Sequence, residues 1–325
     1  MTGRVLLATG DPTGVGPELA AAAVAALGNA SPLVVGPVGP LREAARRFDL
    51  TVHETDGTVE AAPGVLDVVP VGVVEPLRPG APGAASGAAT VASVERCLAL
   101  VDAGVGRAIV ACPHSETAVA AAGVDFAGYP ALLADLRGLR RDRVFLMLVG
   151  GGLRIVHTTL HERLAGALDR LDADTVAAAI RAGHGALREL GIRRPRLCTF
   201  GINPHAGEGG LFGSDDETVT APAVATARGE GLEVDGPTGA DVVLAGPDRE
   251  RYDAFVAMYH DQGHLPVKLL AGRAASALAI GAGVMFSSVG HGAAFDIAGT
   301  GTADVEPTLR ALRLVSGPTI TEVPA

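Results

Sequence analysis

The sequence of 325 residues has little cysteine and few aromatic residues, with no tryptophan and three cysteines. The cysteines Cys97, Cys112 and Cys198 are odd in number, widely spaced and surrounded by apolar residues. This pattern predicts buried, reduced thiols and excludes a disulfide framework or a cysteine-based metal site.

Long hydrophobic runs and runs of more than two consecutive basic residues are also missing. Hydrophobic residues make up 48% of the chain, yet runs such as Val144–Val149 stop at strand length, short of the roughly 18 residues that a membrane span needs. The net charge of −10 comes without a long basic run or an alternation of basic and aromatic residues, so we expect no nucleic-acid or membrane partner. With no signal-peptide pattern at the N-terminus, the expected location is the cytoplasm.

Short apolar runs alternate with helical patterns along most of the chain. Arg4–Thr9 reads as a buried strand that enters the glycine loop Gly10–Glu18, followed by a helix beginning near Pro17. Further strands are predicted at Leu33–Val35, Leu66–Val71, Ala108–Ala111, Val144–Val149, Ile155–Thr159 and Leu197–Phe200, and helices at Thr90–Ala103, Thr175–Leu190 and Arg249–Met258. The alternation predicts an α/β fold with largely parallel sheets.

The stretch Met258–Lys268 is unusually polar for this chain, because it holds two histidines, an aspartate, a glutamine and a lysine. His260 lies within it, while His161 and His205 each follow a predicted strand. Three imidazoles would make an open site for a divalent metal such as zinc. From spacing alone, three unrelated surface or core histidines are the favoured interpretation.

Two glycine-rich segments carry acidic residues. The spacing in Gly10–Glu18 matches no phosphate-binding loop, and its acids Asp11 and Glu18 either line a cleft or belong to an ordinary helix start. In His291–Gly301, the pattern alone favours a plain turn before a helix near Thr302, and the alternative is that Asp296 accepts hydrogen bonds from the ribose of NAD.

Several motifs together resemble the 4-hydroxythreonine-4-phosphate dehydrogenase family, and they occur in order over nearly the whole chain: Gly10–Glu18, Asn203–Glu208, Tyr259–Gly263 and Ala298–Gly301. The resemblance implies a metal-dependent, NAD-linked alcohol oxidation that leads to loss of CO2. It also implies that His161, His205 and His260, from both subunits of a homodimer, hold the metal. Zinc is the expected ion, with iron, manganese, magnesium and cobalt as alternatives.

The same resemblance implies a two-domain α/β/α architecture of the isocitrate/isopropylmalate dehydrogenase type, with an interdomain cleft. The first domain would comprise residues 1–128 plus 285–325, and the second residues 129–284 with the metal histidines and the dimer contacts. An NAD loop near residues 291–301 would belong to the first domain. Its predicted cofactor-binding residues are His291, Gly292, Asp296, Gly299 and Gly301.

The chain departs from family members that bind a phosphate ester. Those members carry Gly-His-Thr-Glu in place of Gly128–Ala131 and a lysine in place of Glu116. They also carry asparagine and arginine at the positions of Ala277 and Phe286. Exchanging a cation for an anion beside a phosphate would weaken binding, so a phosphorylated substrate is not expected.

These departures are similar to one branch of the family, the terephthalate dihydrodiol (1,2-dihydroxy-3,5-cyclohexadiene-1,4-dicarboxylate) dehydrogenases. The branch implies oxidation of a carboxylated ring diol to protocatechuate, with 4-phosphohydroxythreonine as the alternative substrate. A catalytically silent protein that binds an aromatic acid is the alternative of another class.

The predicted roles follow from this chemistry. Asp241, Lys268 and His114 are the expected catalytic residues. Asp241 is expected to be a proton acceptor or a further metal ligand, and Lys268 would also face a ring carboxylate. Asp11 is expected to bind substrate, and Tyr129 and Phe286 would give the flat ring an apolar wall. His264 receives no role from the sequence.

Overall fold

A computed structural model describes residues 3–73 and 76–316 of the chain, except for the side chain of Arg273. The strands are β1 Arg4–Ala8, β2 Leu33–Gly36, β3 Thr51–Glu54, β4 Val65–Pro70, β5 Gly106–Ala111, β6 Phe145–Gly150, β7 Leu153–His157, β8 Arg196–Phe200, β9 Glu233–Thr238, β10 Ala254–Ala257, β11 Ser276–Ile280 and β12 Met285–Ser288. The α-helices are α1 Gly16–Leu27, α2 Val38–Ala45, α3 Ala84–Asp102, α4 Glu116–Ala121, α5 Tyr129–Leu136, α6 Leu164–Arg170, α7 Ala173–Glu189, α8 Ala221–Gly229, α9 Ala240–Ala245, α10 His260–Ala271 and α11 Glu306–Ser316.

These elements form two compact units. Unit 1 lies within Met1–Phe126 and Val284–Ala325, and unit 2 is Ala127–Gly283. The chain therefore passes between units after residues 126 and 283, next to the crossing points predicted after 128 and 284. The functions assigned to the two domains stay predictions.

The sheet of unit 1 is parallel throughout, with the strand order β3-β4-β2-β1-β5-β12. The central strands β1 and β5 are almost entirely buried and rich in valine, leucine, isoleucine and alanine. Strands covered on both faces have no need for alternating polar residues, which is why they appear as continuous apolar runs.

Helix α3 packs against β1, β2 and β5 in unit 1. Among the described residues it is the one helix long and apolar enough to cross a membrane, with 19 residues and 56% of its apolar window buried. The prediction that apolar stretches end at strand length did not account for this long apolar helix. Its alanine-rich surface is that of a core helix, because small side chains allow close packing on the sheet.

The sheet of unit 2 has the order β11-β6-β7-β10-β8-β9. Strand β6 runs antiparallel to both of its neighbours, and β7, β10, β8 and β9 are parallel to one another. The core on this sheet includes Phe200 and Phe255, whose rings stack with centroids 5.5 Å apart. The carboxyl ends of four adjacent strands therefore meet at one edge of the sheet.

The prediction of a helix at Arg249–Met258 is wrong. This segment forms a 3₁₀ turn at Pro247–Arg251 and then strand β10, whose four residues are all buried between β7 and β8. A short central strand has apolar residues on both faces and therefore lacks the two-residue period that distinguishes a strand from a helix. The other predicted strands are confirmed, as are the helices at α1 and α7, within a few residues at their ends. Helix α3 is confirmed, but it begins at Ala84, six residues before the predicted start at Thr90.

The three cysteines are free and buried, as the sequence predicted. Burial raises the pKa of Cys112 to about 12 and that of Cys198 to about 11. Because the thiolate is the reactive form, these residues act as small apolar side chains.

We expect Phe255→Ala to lower the free energy of unfolding of unit 2 by about 3–5 kcal/mol, because the cavity left behind cannot fully collapse. Urea unfolding followed by circular dichroism measures the change. The control Leu139→Ala, at an exposed position of the same unit, should stay within about 0.5 kcal/mol. Equal losses for the two variants would contradict this location of the core.

Candidate functional site

The predicted site residues of unit 2 follow four adjacent parallel strands. His161 follows β7, His260 follows β10, His205 follows β8, and Asp241 follows β9. Parallel strands end at a common edge, so their carboxyl-terminal loops are brought together there. The ends of β7 and β10 are joined directly, since Thr159 Oγ1 donates to the carbonyl of Met258 at 2.8 Å.

His161 and His260 are close neighbours, with ring centroids 5.3 Å apart. Both line a cavity of about 270 Å³ together with Tyr259 and Asp261. His161 also lines a second cavity of about 380 Å³, next to which Arg170 is paired with Glu162. Two of the three predicted metal-binding histidines thus share an accessible space within unit 2.

The carboxylate of Asp261 determines how His260 presents its ring nitrogens. Nδ1 of His260 lies 2.7 Å from Oδ1 of Asp261. Because a carboxylate only accepts, Nδ1 carries the proton and Nε2 of the neutral ring keeps its lone pair. Such a carboxylate–histidine pair is the arrangement in which imidazole binds a metal ion.

His205 lies in a tight loop whose backbone is held by Asp216. His205 itself has a left-handed backbone with φ of 54°. The buried carboxylate of Asp216 accepts from the backbone N–H groups of Ile202 at 2.8 Å and Asn203 at 2.9 Å. It also accepts from the Thr220 hydroxyl at 2.7 Å. Sequence reasoning missed Asp216; its signal was an Asp-Asp pair just downstream of the His205 motif.

Asp241 is exposed in the first turn of α9 and lies beside the His205 loop. A Cβ atom placed on Gly239 would lie 3.0 Å from Asp241 Oδ1 and 3.8 Å from the Cα of His205. The structure therefore brings His205 and Asp241 to the same point of the sheet edge.

Gln262 connects the His260 segment to the His205 loop. Its Oε1 accepts from the backbone N–H of Met258 at 2.7 Å, and its Nε2 donates to the carbonyl of Gly201 at 2.7 Å. The Gln262 side chain thus satisfies the backbone N–H of Met258, just before α10, and the backbone carbonyl of Gly201, just after β8. This explains the glutamine of the Tyr259–Gly263 motif as a brace between two site loops.

Two further histidines belong to this region. His157, the fully buried last residue of β7, lies 2.9 Å from His264 of α10, measured between His157 Nε2 and His264 Nδ1. Burial lowers the pKa of His157 to about 3 and that of His264 to about 4, so both rings are neutral near pH 7. Sequence reasoning assigned no role to His264 or His157, although a histidine that ends an apolar strand was a usable signal.

The residues that the structure describes contain no group of three His, Cys, Asp or Glu side chains arranged as a metal site. The expected ligand set draws on two subunits, whereas one chain is described. Its assembly from His161, His205 and His260 therefore stays a prediction.

The predicted site residues of unit 1 lie at the carboxyl ends of β1 and β5. Asp11 is fully buried, and its carboxylate accepts from the hydroxyls of Thr13 at 2.6 Å and Ser86 at 3.1 Å. Those bonds hold the Gly10–Glu18 loop, and contact of Asp11 with substrate stays a prediction. His114 packs edge-on against Phe126, and burial lowers its pKa below the usual range.

The loop His291–Gly301 of unit 1 is held by Glu18 and Arg47. The buried Glu18 carboxylate accepts from the backbone N–H groups of Gly299 at 2.7 Å and Gly301 at 2.5 Å. Arg47 donates to the carbonyls of Gly299 and Thr300. Asp296 is exposed, and a cavity of about 450 Å³ walled mainly by proline and aliphatic side chains borders this loop at Gly299.

The remaining predicted residues differ in exposure. His291 and Gly292 are exposed in the unit 1 loop, whereas Phe286 is fully buried in β12 and Tyr129 is buried at the start of α5. Lys268 is exposed on α10, two turns after His260, and is the one lysine of the chain. Contact of these residues with ligands stays a prediction.

The family model described as pyridoxal phosphate biosynthetic protein PdxA matches residues 28–315 of the chain. The 1,2-dihydroxy-3,5-cyclohexadiene-1,4-dicarboxylate dehydrogenase of a Comamonas species is 47% identical over 96% of this chain and 96% of its own length.

Two crystal structures extend the similarity. A terephthalate 1,2-cis-dihydrodiol dehydrogenase from Burkholderia xenovorans LB400 is 48% identical, with a TM-score of 0.79 over 96% of this chain and 97% of that one. The 4-hydroxythreonine-4-phosphate dehydrogenase of Klebsiella pneumoniae is 34% identical, with a TM-score of 0.85 over 97% of this chain and 99% of that one. The α/β class and mostly parallel sheets are thereby confirmed, and the closer likeness to isocitrate dehydrogenase stays a prediction.

We expect Asp216→Asn to destabilise the protein by about 1–3 kcal/mol, because the amide turns an N–H group toward buried donors that the carboxylate satisfied. Urea unfolding measures the loss, and hydrogen exchange of residues 201–208 reports loosening of the His205 loop. The control Asp215→Asn changes the exposed neighbour and should have a smaller effect. Unchanged exchange in Asp216→Asn would show that Asp216 does not hold the loop.

Proposed function

Since this chain belongs to the dehydrogenase family of the pyridoxal phosphate biosynthetic protein PdxA, we propose that it oxidises and decarboxylates a carboxylated cyclohexadiene cis-diol. The proposed substrate is 1,2-dihydroxy-3,5-cyclohexadiene-1,4-dicarboxylate, and the products are protocatechuate, CO2 and NADH. Two relatives with nearly half of their residues identical to this chain bear names for a dehydrogenase of this diol.

The observation that carries the proposal is the meeting of His161 and His260 at the carboxyl edge of the unit 2 sheet, with Asp261 accepting from Nδ1 of His260. Neutral imidazoles with free lone pairs are ligands for zinc and similar divalent ions. The donor set therefore fits a divalent metal held by His161, His205 and His260. Such an ion would acidify a bound hydroxyl and stabilise negative charge on the oxygen of the oxidised product.

The substrate determines which bonds change. One ring carbon bears a hydroxyl and a carboxylate, and its neighbour bears a hydroxyl and a hydrogen, so the neighbour alone supplies hydride to NAD. Oxidation places a ketone β to the carboxylate; CO2 leaves, and its electron pair completes the aromatic ring. The proton lost from the reacting hydroxyl returns to the same oxygen in the catechol, so no net proton is released.

This proton balance requires a residue that first accepts and then returns a proton. We assign that role to Asp241, which is exposed beside the His205 loop. A carboxylate can shuttle a proton without leaving its position, as general acid–base catalysis requires.

Lys268 is assigned to a ring carboxylate. The chain uses arginine at every other cationic position, and this position alone has lysine. An ammonium group is a compact charge with three rotatable donors, whereas guanidinium demands a flat, two-pronged partner. His114 is proposed to bind the second carboxylate of the substrate or to transfer a proton. Tyr129 and Phe286 are proposed to form an apolar wall against the flat substrate ring.

The loop His291–Gly301 is proposed to bind NAD. Glu18 and Arg47 hold its backbone, which leaves the exposed Asp296 available to the ribose hydroxyls. The cavity of about 450 Å³ at Gly299 offers an apolar space for the adenosine part of the cofactor.

We further propose a homodimer that completes each site. Large apolar side chains are exposed beside the site loops: Leu211, Phe212, Val242, Leu265, Leu269 and Leu270. Apolar side chains gathered in this way are typical of a surface that associates with another protein chain.

We expect NADH and protocatechuate to form together when the protein is mixed with NAD and the terephthalate cis-dihydrodiol, as measured by ultraviolet absorbance and chromatography. A chelator should abolish turnover, and added zinc should restore it, because the reacting hydroxyl would lose its activating ion. Turnover that is indifferent to chelation would contradict the metal assignment. Faster turnover of 4-phosphohydroxythreonine would instead support the phosphate-ester activity named for the Klebsiella relative.

We expect Asp296→Lys to change the ratio of kcat/KM for NAD to kcat/KM for NADP by about tenfold or more toward NADP, because a charged hydrogen bond to the ribose is lost and a cation faces the 2′-phosphate. Steady-state kinetics with both cofactors measures the ratio. Asp169→Lys makes the same charge change on α6 and should leave the ratio unaltered. An unchanged ratio in Asp296→Lys would show that Asp296 does not hydrogen-bond to the ribose.

A further inference from the structure

Four of the nine histidines of the chain gather at the start of α10, and two of them have no part in the proposed function. The His264 ring lies 3.7 Å from the His260 ring and 4.5 Å from the His157 ring, measured between centroids. His157 ends β7 beneath the helix, and His264 lies one helical turn after His260.

The hydrogen bonds of these rings have one possible direction. Nδ1 of His157 faces the carbonyl oxygen of Leu146 at 3.3 Å, so it must carry the proton. Nε2 of the neutral His157 ring is then an acceptor, and Nδ1 of His264 donates to it at 2.9 Å. His264 is thereby fixed as the Nδ1–H tautomer, with the lone pair on Nε2.

His264 also covers one face of His260. The two ring planes differ by only 12°, which makes this a parallel stack. Asp261 holds the same His260 ring from its edge through Nδ1 at 2.7 Å. A ring held at one edge and against one face cannot turn about its Cβ–Cγ bond without breaking both contacts.

Gly263 makes this arrangement possible. A Cβ atom at position 263 would lie 2.4 Å from Nε2 of His157, the atom that accepts from His264. The glycine of the Tyr259–Gly263 motif therefore provides the space in which the buried imidazole meets the helix.

We propose that His157 and His264 are positioning residues that hold the His260 ring in its ligand-presenting orientation before any metal or substrate binds. The hydrogen bond from His264 to His157 fixes the plane of the His264 ring, and the stack transmits that orientation to His260. This proposal rests on the proposed role of His260 as a metal ligand.

The tautomers can be tested on the metal-free protein, independently of activity. In protein labelled with ¹⁵N-histidine, long-range ¹H–¹⁵N spectra should show Nδ1–H tautomers for both His157 and His264. In His157→Leu the His264 signals should move toward a mixture of tautomers, whereas in His157→Gln, whose carbonyl oxygen can still accept, they should stay near those of the wild type. An Nε2–H tautomer for His264 in the wild type would overturn the proposal.

Cobalt(II) titration followed by visible absorption tests the consequence for the ligand. His264→Ala should weaken cobalt binding about tenfold, as is usual when the support of a ligating histidine is removed. His264→Phe keeps a flat ring against His260 but loses the hydrogen bond to His157, so its affinity should lie between those of the wild type and His264→Ala. His184→Ala removes a histidine of α7 and serves as the control, and thermal melting shows that each variant is folded.

The outcomes separate this proposal from the proposed function. Cobalt binding by His264→Ala as tight as that of the wild type would overturn the positioning role and leave the metal site standing. If the wild type itself binds no cobalt, the metal assignment fails, and with it the role of the pair toward a ligand; the spectra of the metal-free protein then decide only the hydrogen-bond direction.

Discussion

The parallel pairing of β7, β10, β8 and β9 is the constraint on which the candidate site of unit 2 depends. Hydrogen bonds along these strands fix their register, and register fixes where each strand ends. The loops that follow carry residues far apart in the sequence, from His161 to His260. A shift of one strand by one residue would break its hydrogen bonds to both neighbours and displace the loop that follows it, so strand pairing protects the geometry of the site.

Polar side chains hold the loops of the candidate sites in both units. Asp216 accepts from the backbone of the His205 loop, Gln262 bridges Met258 to Gly201, and in unit 1 Glu18 holds the glycines of the His291–Gly301 loop. A backbone N–H group that loses water in a tight loop needs another acceptor, and a carboxylate supplies a strong one. Loops of this kind keep one conformation before a ligand binds, because their own polar groups are already hydrogen-bonded.

The histidines at the start of α10 are also held by hydrogen bonds, here between uncharged groups. Imidazole has one donor and one acceptor when it is uncharged, so a chain of rings anchored on a backbone carbonyl has a defined direction. Burial of His157 keeps that ring neutral, and the carbonyl of Leu146 sets which nitrogen carries its proton. Local electrostatics thereby determine the tautomer of His264, a half-buried residue that stacks on His260.

The sequence by itself determined the α/β class, most of the strands, the buried thiols and the family, since apolar periodicity and short motifs are local properties of the chain. It located His161, His205 and His260 through their motifs, but it predicted a helix where β10 lies, because a strand buried on both faces has no alternating pattern. Only the tertiary structure decided that Asp216 and Gln262 support the His205 loop and that His157 meets His264 across 107 positions of sequence. Such contacts depend on how the strands pair and where helix α10 crosses them. No local sequence pattern predicts a contact between residues so far apart in the chain.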